Sequence, residues 1–176
     1  MADIIDLMAM AEPQPDLHKR LLALVEKLGG QAPDYCLQCA KCTSGCPAMK
    51  QLENMPHEVV SLVRLGFIDE LVGSDIIWAC TACLKCRERC PQKVAPVEVF
   101  LTLRNMAILS GGQVPEGYTK ILGSILERGL IQSPQVVRTR GLEARAREDL
   151  KLSPEPKPTD LAKFQAALTK ALQESL

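Results

Sequence analysis

Eight cysteines fall in two runs of identical spacing, Cys36-x2-Cys39-x2-Cys42-x3-Cys46-Pro47 and Cys80-x2-Cys83-x2-Cys86-x3-Cys90-Pro91. Thiols at that density can pair as disulfides, bind zinc, or bind iron–sulfur clusters. Disulfides need an oxidising compartment. The N-terminus, MADIIDLMAMAEPQPD, is acidic where a secretory leader would be basic, so a reducing cytoplasm is the expected setting. Structural zinc takes four ligands, typically from two CxxC pairs separated by a loop. It has no use for three cysteines in succession at x2 spacing followed by x3-Cys-Pro. That run is the ligand pattern of bacterial-type [4Fe-4S] ferredoxins. Three thiolates at x2 wrap one loop round three corners of a cube, and the fourth, before a φ-restricting proline, leaves in another direction. Two [4Fe-4S] clusters are the reading, with a zinc-stapled assembly module as its non-redox alternative.

In two-cluster ferredoxins the fourth cysteine of each run ligates the cluster of the other. Carried over, that pattern puts one cluster on Cys36, Cys39, Cys42 and Cys90, and the other on Cys80, Cys83, Cys86 and Cys46. The spacing alone leaves four local ligands per cluster open. With all eight thiols committed, no cysteine is left over as a nucleophile and no catalytic residue is expected on this chain. No GxGxxG signals a nucleotide site.

The other candidates carry weaker signals. His18 and His57 each stand near a helix start in polar company, which suits a solvated or capping role better than proton transfer. Lys85, Arg87, Arg89 and Lys93 against Glu88 leave the second run at +3. Those cations either offset the cluster's negative charge and raise its potential, or form a solvated docking face. Trp78 reads as a core residue, with shielding of the cluster from water as the alternative. Met8, Met10 and the Ile4–Leu7 stretch are either a docking arm or a frayed end.

The elements that must position these residues read as helices. Asp16 is placed to cap a helix with Leu17, Leu21, Leu24, Val25 and Leu28 on one face, closed by Gly29-Gly30. Between the runs, Pro56 opens a helix with Val59, Val60, Leu62 and Val63, and Gly66 stops it. A shorter piece runs from Phe67 to Val72, after which Ser74 or Asp75 caps the turn into Trp78. Beyond the second run, Pro96 opens a helix to about Leu109, whose polar residues Glu98, Thr102 and Asn105 form one narrow exposed stripe. A further helix covers Tyr118–Arg128. The two cysteine runs are the one internal repeat read here, and no strand pattern of useful length occurs.

The expected organisation is an N-terminal arm (1–15), an α-helical diferredoxin domain (16–130), a charged and proline-rich linker (131–158), and a last helix (159–176). That helix is capped by Thr159, with Leu161, Phe164, Leu168 and Leu172 on one face. Its apolar face is expected to fold back on the ferredoxin core or to reach a partner. The 176 residues carry 21 basic and 21 acidic side chains, a balance that argues against nucleic-acid binding. The longest stretch without a charge is 11 residues, Asn105 to Pro115. That is well short of the roughly 18 apolar residues of a membrane span. Only 3% of residues are aromatic, thin for a β-sandwich and ample for an all-α fold.

CLQCAKCTSGCP, PHEVVSLVRLG and WACTACLKCRERCP together resemble the iron–sulfur C-type subunit of heterodisulfide reductases and of heterodisulfide reductase-like complexes, over roughly Leu17 to Gly129. The resemblance implies an α-helical ferredoxin fold and an electron relay within an oxidoreductase complex. Its partners would be an A-type subunit, bearing a flavin and several iron–sulfur clusters, and a B-type subunit, where a disulfide is cleaved. The chain has no CCG motif of the B-type subunit, so that chemistry is expected on the partner. The resemblance is compatible with the coenzyme M–coenzyme B heterodisulfide of methanogenesis and with a sulfur-oxidation substrate. Similar cysteine runs occur in iron–sulfur subunits of other flavin-linked dehydrogenases, of the fumarate, glycolate or glycerol-phosphate type. Trp78, the small size and the absence of a plant-type [2Fe-2S] run favour the heterodisulfide reductase likeness.

Overall fold

The computed structural model describes residues 15–132, 136–154 and 156–174. The stretch with Ile4–Leu7, Met8 and Met10 lies outside the described residues. The chain divides between Gln113 and Val114 into two compact units.

In the first unit, α1 (Pro15–Lys27) starts on a proline, with Asp16 inside the first turn instead of before it. An acidic side chain in the first turn interacts favourably with the positive end of the helix, without the hydrogen bond of a cap. Leu21 and Val25, one turn apart, are its fully buried positions. α2 (Pro56–Leu65) also opens on a proline, and the Glu58 carboxylate accepts the Met55 backbone N–H at 2.7 Å. Gly66 ends it at φ 97°, a left-handed conformation that a side chain would oppose. α3 (Ile68–Val72) follows, then a single 3-10 turn, Ile76–Ala79. Neither Ser74 nor Asp75 caps that turn through its side chain. The Ser74 hydroxyl donates back to the Leu71 carbonyl at 2.9 Å, because Ser74 is buried under α3 and that carbonyl is within reach.

α4 (Lys85–Arg89) is a short turn within the second cysteine run, and α5 (Pro96–Leu109) is the spine of the unit. α1, α2, α3, α4 and the Ile76–Ala79 turn all pack on α5. Val99, Phe100, Leu103, Met106 and Ala107 meet Val59, Val60, Val63, Ile68, Leu71 and Ile77 in one continuous core. The expected exposed stripe on α5 is corrected here. Asn105 is exposed, but Glu98 and Thr102 are 2% and 0% exposed, and Arg104 beside them is 6% exposed. With elements packed round it, α5 has little face left for water. Its two charged side chains are accommodated by partners on neighbouring segments.

The second unit contains α6 (Glu116–Arg128), α7 (Leu161–Glu174) and a minimal hairpin. That hairpin pairs β1 (Val137–Arg138) with β2 (Ala144–Arg145), Val137 opposite Arg145. Two residues per strand leave the fold all-α. The cap of α7 is Asp160 and not Thr159: its carboxylate accepts the Lys163 backbone N–H at 2.9 Å. α7 packs on α6, with Leu161, Phe164 and Leu168 half-buried and the Gln165 amide donating to the Leu126 carbonyl at 2.6 Å. The apolar face of α7 is thus covered in part by α6.

Candidate metal centres

Each cysteine run begins with the same backbone device. Gln38 and Ala40 flank Cys39 with φ of 53° and 55°, and Ala82 and Leu84 flank Cys83 with φ of 49° and 63°. A left-handed residue with a Cβ costs about 1–2 kcal/mol. Four of them at matching positions persist only where the surroundings hold them. Alternation of left- and right-handed residues turns successive N–H groups toward one side, making the concavity that receives anionic groups such as iron–sulfur clusters. The same turn pushes the middle cysteine outward: Cys39 and Cys83 are the two exposed cysteines.

The cysteines line two hollows. Cys36, Cys39, Cys42 and Cys90 stand round one, together with His57 and Pro96. Cys46, Cys80, Cys83 and Cys86 stand round another, with Phe100 on its inner wall. Cys42 lines both. Among the described residues no three His, Cys, Asp or Glu side chains converge closely enough to hold a single metal ion. Thiols spread round a hollow fit a group of several atoms, so the donor set suits a [4Fe-4S] cube better than zinc.

Cys46 and Cys90 are set by one geometry. Each follows a helical turn in extended conformation, at φ −72°, ψ 120° and φ −77°, ψ 114°. Each precedes a proline. The turn Thr43–Gly45 lies against α4, where the Arg89 guanidinium occupies the space a Cβ on Gly45 would need. The two runs are thereby held side by side.

Burial disfavours a bare thiolate at three of these cysteines. Burial pushes the Cys42 and Cys80 thiols up, and takes that of Cys86 to about 12. They lose their protons when metal takes the place of the proton. Several donors await the resulting negative charge. The backbone N–H of Val97, second residue of α5 and so without a partner inside the helix, donates to the Cys86 sulfur. Ala82 N–H does the same for Cys80, and the Gln38 amide reaches the Cys36 sulfur at 3.4 Å. Such donors orient ligands and raise the potential of a cluster.

An ion pair between an exposed arginine and a buried glutamate joins the second run to the core. Arg87 Nη1 lies 3.1 Å from Glu98 Oε1, the Glu98 side chain being 3% exposed and that of Arg87 47%. The other carboxylate oxygen of Glu98 has no hydrogen-bond partner. Burial pushes the Glu98 carboxyl up from its usual range, against the opposing pull of Arg87. Gly30 makes this possible, since a Cβ there would stand 2.9 Å from Val25 Cγ1 and 3.2 Å from Glu98 Cβ. A carboxyl raised by folding contributes stability that is full below its unfolded pKa, near 4.5, and is lost as pH rises through the folded value. The native chain is therefore expected to lose stability as pH rises above about 4.5, and Glu98→Gln to flatten that slope. Urea unfolding of both chains across that range, under anaerobic conditions, measures it. Equal slopes would remove Glu98 as the source.

The remaining candidates fall into distinct places. His57 is half-buried and shares a hydrogen bond of 2.7 Å with the Thr43 hydroxyl, which lies 4.0 Å from the Cys42 sulfur. The solvated or capping role expected for His57 is therefore corrected: its ring bonds the Thr43 hydroxyl at the start of α2, and the imidazole faces the first hollow. His18 Nε2 lies 3.7 Å from the Asp34 carboxylate near the surface. Of the four cations in the second run, Arg87 and Arg89 make the contacts described above, and all four residues remain exposed. Trp78 is half-buried against the core, as read from sequence. Sequence reasoning misses Arg104, since an arginine on a helix ordinarily faces water. The signal that points to it is the internal repeat, which reaches past the cysteines: Pro56-His57-Glu58-Val59 and Pro96-Val97-Glu98-Val99 open α2 and α5, and an arginine follows eight residues after each proline.

A family model described as a 4Fe-4S dicluster domain matches residues 32–94, which include all eight cysteines. Among curated proteins, a heterodisulfide reductase C-subunit-like protein of Archaeoglobus profundus is 32% identical over 163 residues, 90% of this chain and 82% of that one. The second iron–sulfur C-type subunit of the CoB–CoM heterodisulfide reductase of Methanocaldococcus jannaschii is 36% identical over 108 residues, 60% of this chain and 57% of the relative. The C-type subunit of the H2:CoB–CoM heterodisulfide,ferredoxin reductase of Methanothermobacter thermautotrophicus is 32% identical over 100 residues. That match spans 57% of this chain and 54% of the relative. Among the described residues no helix is long and apolar enough to cross a membrane.

Proposed function

The chain belongs to the family of heterodisulfide reductase C-type subunits and carries two [4Fe-4S] clusters, and from that premise we propose that it relays single electrons between a flavin-bearing A-type subunit and a disulfide-reducing B-type subunit. The observation that carries this reading is Cys42, which lines both hollows and so makes them neighbours. The clusters supply one-electron oxidation and reduction and no other chemistry. We assign one to Cys36, Cys39, Cys42 and Cys90, and the other to Cys80, Cys83, Cys86 and Cys46. Cys39 and Cys83 bring one ligand of each set to the surface, where a partner's cofactor can approach. The buried Cys42 and the core residues Val97 and Phe100 screen the inner side from water.

On this reading the chain has no catalytic centre of its own. The full chain, reconstituted anaerobically, is expected to bind about eight irons and about eight sulfides by its ligand count. It should accept electrons from a strong reductant and reduce no disulfide. Disulfide reductase activity from the metal-replete chain, free of other subunits, would refute the relay. Co-purification with the A-type and B-type subunits from the source cell supports it, and recovery with a different flavoprotein dehydrogenase would redirect it.

The second unit is proposed as an assembly element. All eight cysteines precede Gln113, and α7 packs on α6. A chain ending at Gln113 is expected to keep both clusters while its assembly with the other subunits weakens. Iron analysis and co-purification measure the two effects separately. Loss of iron with assembly intact would assign α6 and α7 to the metal-binding core instead.

A further inference from the structure

The internal repeat places two arginines in equivalent positions with unequal surroundings. Arg64 on α2 donates from Nη1 to the Cys36 carbonyl at 3.3 Å. Arg104 on α5 donates from Nε to the Ile77 carbonyl at 2.7 Å, and from Nη2 to the Trp78 carbonyl at 3.3 Å and to the Cys80 carbonyl. Each therefore grips the carbonyl of the first cysteine in the run that precedes its helix. Arg64 is exposed, whereas Arg104 is 6% exposed and its guanidinium carbon lies 5.6 Å from the centre of the Trp78 ring.

A cation beside a redox centre stabilises the added electron, and the effect depends on what lies between them. In water the interaction of two unit charges at close range is weak, and it is several times larger where water is excluded. Exposed charges are further screened by salt. Arg64 works in the first regime and Arg104 in the second. We propose that Arg104 raises the reduction potential of the cluster held by Cys80, Cys83, Cys86 and Cys46 above that of the other cluster, so that an electron on this chain rests on the second-run cluster. The inference rests on the cluster assignment proposed above and adds a direction to the relay.

The test uses the full chain with both clusters reconstituted anaerobically, after iron and sulfide analysis. Potentials are followed by EPR, with the second-run signal identified as the one changed by Cys83→Ser. In the native chain the second-run cluster is expected to be reduced first. Arg104→Gln should lower its reduction equilibrium by at least about tenfold, which is about 59 mV for one electron. Arg104→Lys, which keeps the charge, should stay close to native, and Arg64→Gln should change the first-run cluster by no more than about twofold, as expected of a screened surface charge. The proposal fails if the first-run cluster is reduced first in the native chain. It also fails if Arg104→Lys falls as far as Arg104→Gln, or if Arg104→Gln leaves the equilibrium unmoved. Should the Gln variant not hold its iron, the order of reduction in the native chain still decides. A native chain that binds no iron would overturn the cluster assignment itself, not this inference alone.

Discussion

Cys46→Ser is expected to damage the cluster of the other run. Cys46 stands round the second hollow with Cys80, Cys83 and Cys86, and Cys90 stands round the first with Cys36, Cys39 and Cys42. EPR of reduced Cys46→Ser should therefore match that of Cys83→Ser, and Cys90→Ser should match Cys39→Ser. Where serine fails to hold iron, each variant should lose about four of about eight irons, the share of one cluster by ligand count. The backbone supplies the reason. Both cysteines leave a helical turn in extended conformation just before a proline, which carries the thiol out of its own loop. The loops lie close enough for that thiol to reach across, with Arg89 packed against Gly45. If Cys46→Ser paired with Cys39→Ser, the ligation would be local and the crossing would be abandoned.

The second large effect belongs to the core. Phe100 is 1% exposed, sits in the second turn of α5 and forms part of the wall of the second hollow. Phe100→Ala is expected to destabilise the chain by about 3–5 kcal/mol, the usual cost of a phenylalanine-sized cavity. A typical domain has about 5–15 kcal/mol in total, so a large share of the stability would be lost. Denaturant unfolding of the anaerobic holoprotein reads this directly. Iron release should begin at the second-run cluster, because the cavity opens beside it. Leu172→Ala, at a position 37% exposed on α7, serves as the comparison and should stay within about 0.5 kcal/mol. A Phe100→Ala loss below about 1 kcal/mol would mean that α5 is not the spine of the unit.

The ligand loops were legible because their information is local. Three thiols at x2 spacing and a fourth before proline encode a loop with few alternative uses, and the helices between and around the runs follow from Pro56, Gly66 and Pro96 at their ends. The resemblance to the heterodisulfide reductase C-type subunit rests on these same residues, and the relatives bear it out. Side-chain environments on α5 were less legible. Glu98 and Thr102 look like an outward stripe on an isolated helix, and Arg104 like a surface charge. The stripe prediction failed because α1, α3 and α4 also pack on that helix.

By itself, then, the sequence determined the chemistry: eight thiols in a pattern that short-range geometry reserves for two clusters, carried on an all-α chain. Tertiary structure alone decided the company those thiols keep. It set Cys42 on the wall between two hollows, brought Thr43 to His57, laid Arg104 on the Cys80 carbonyl, and covered α7 with α6. The physical reason is range. A spacing of two or three residues constrains the backbone directly, whereas contacts between residues 14 to 39 positions apart depend on which helices pack together, as the Thr43–His57, Cys80–Arg104 and Leu126–Gln165 pairs show. That choice is made by the whole core at once, and no single segment carries it.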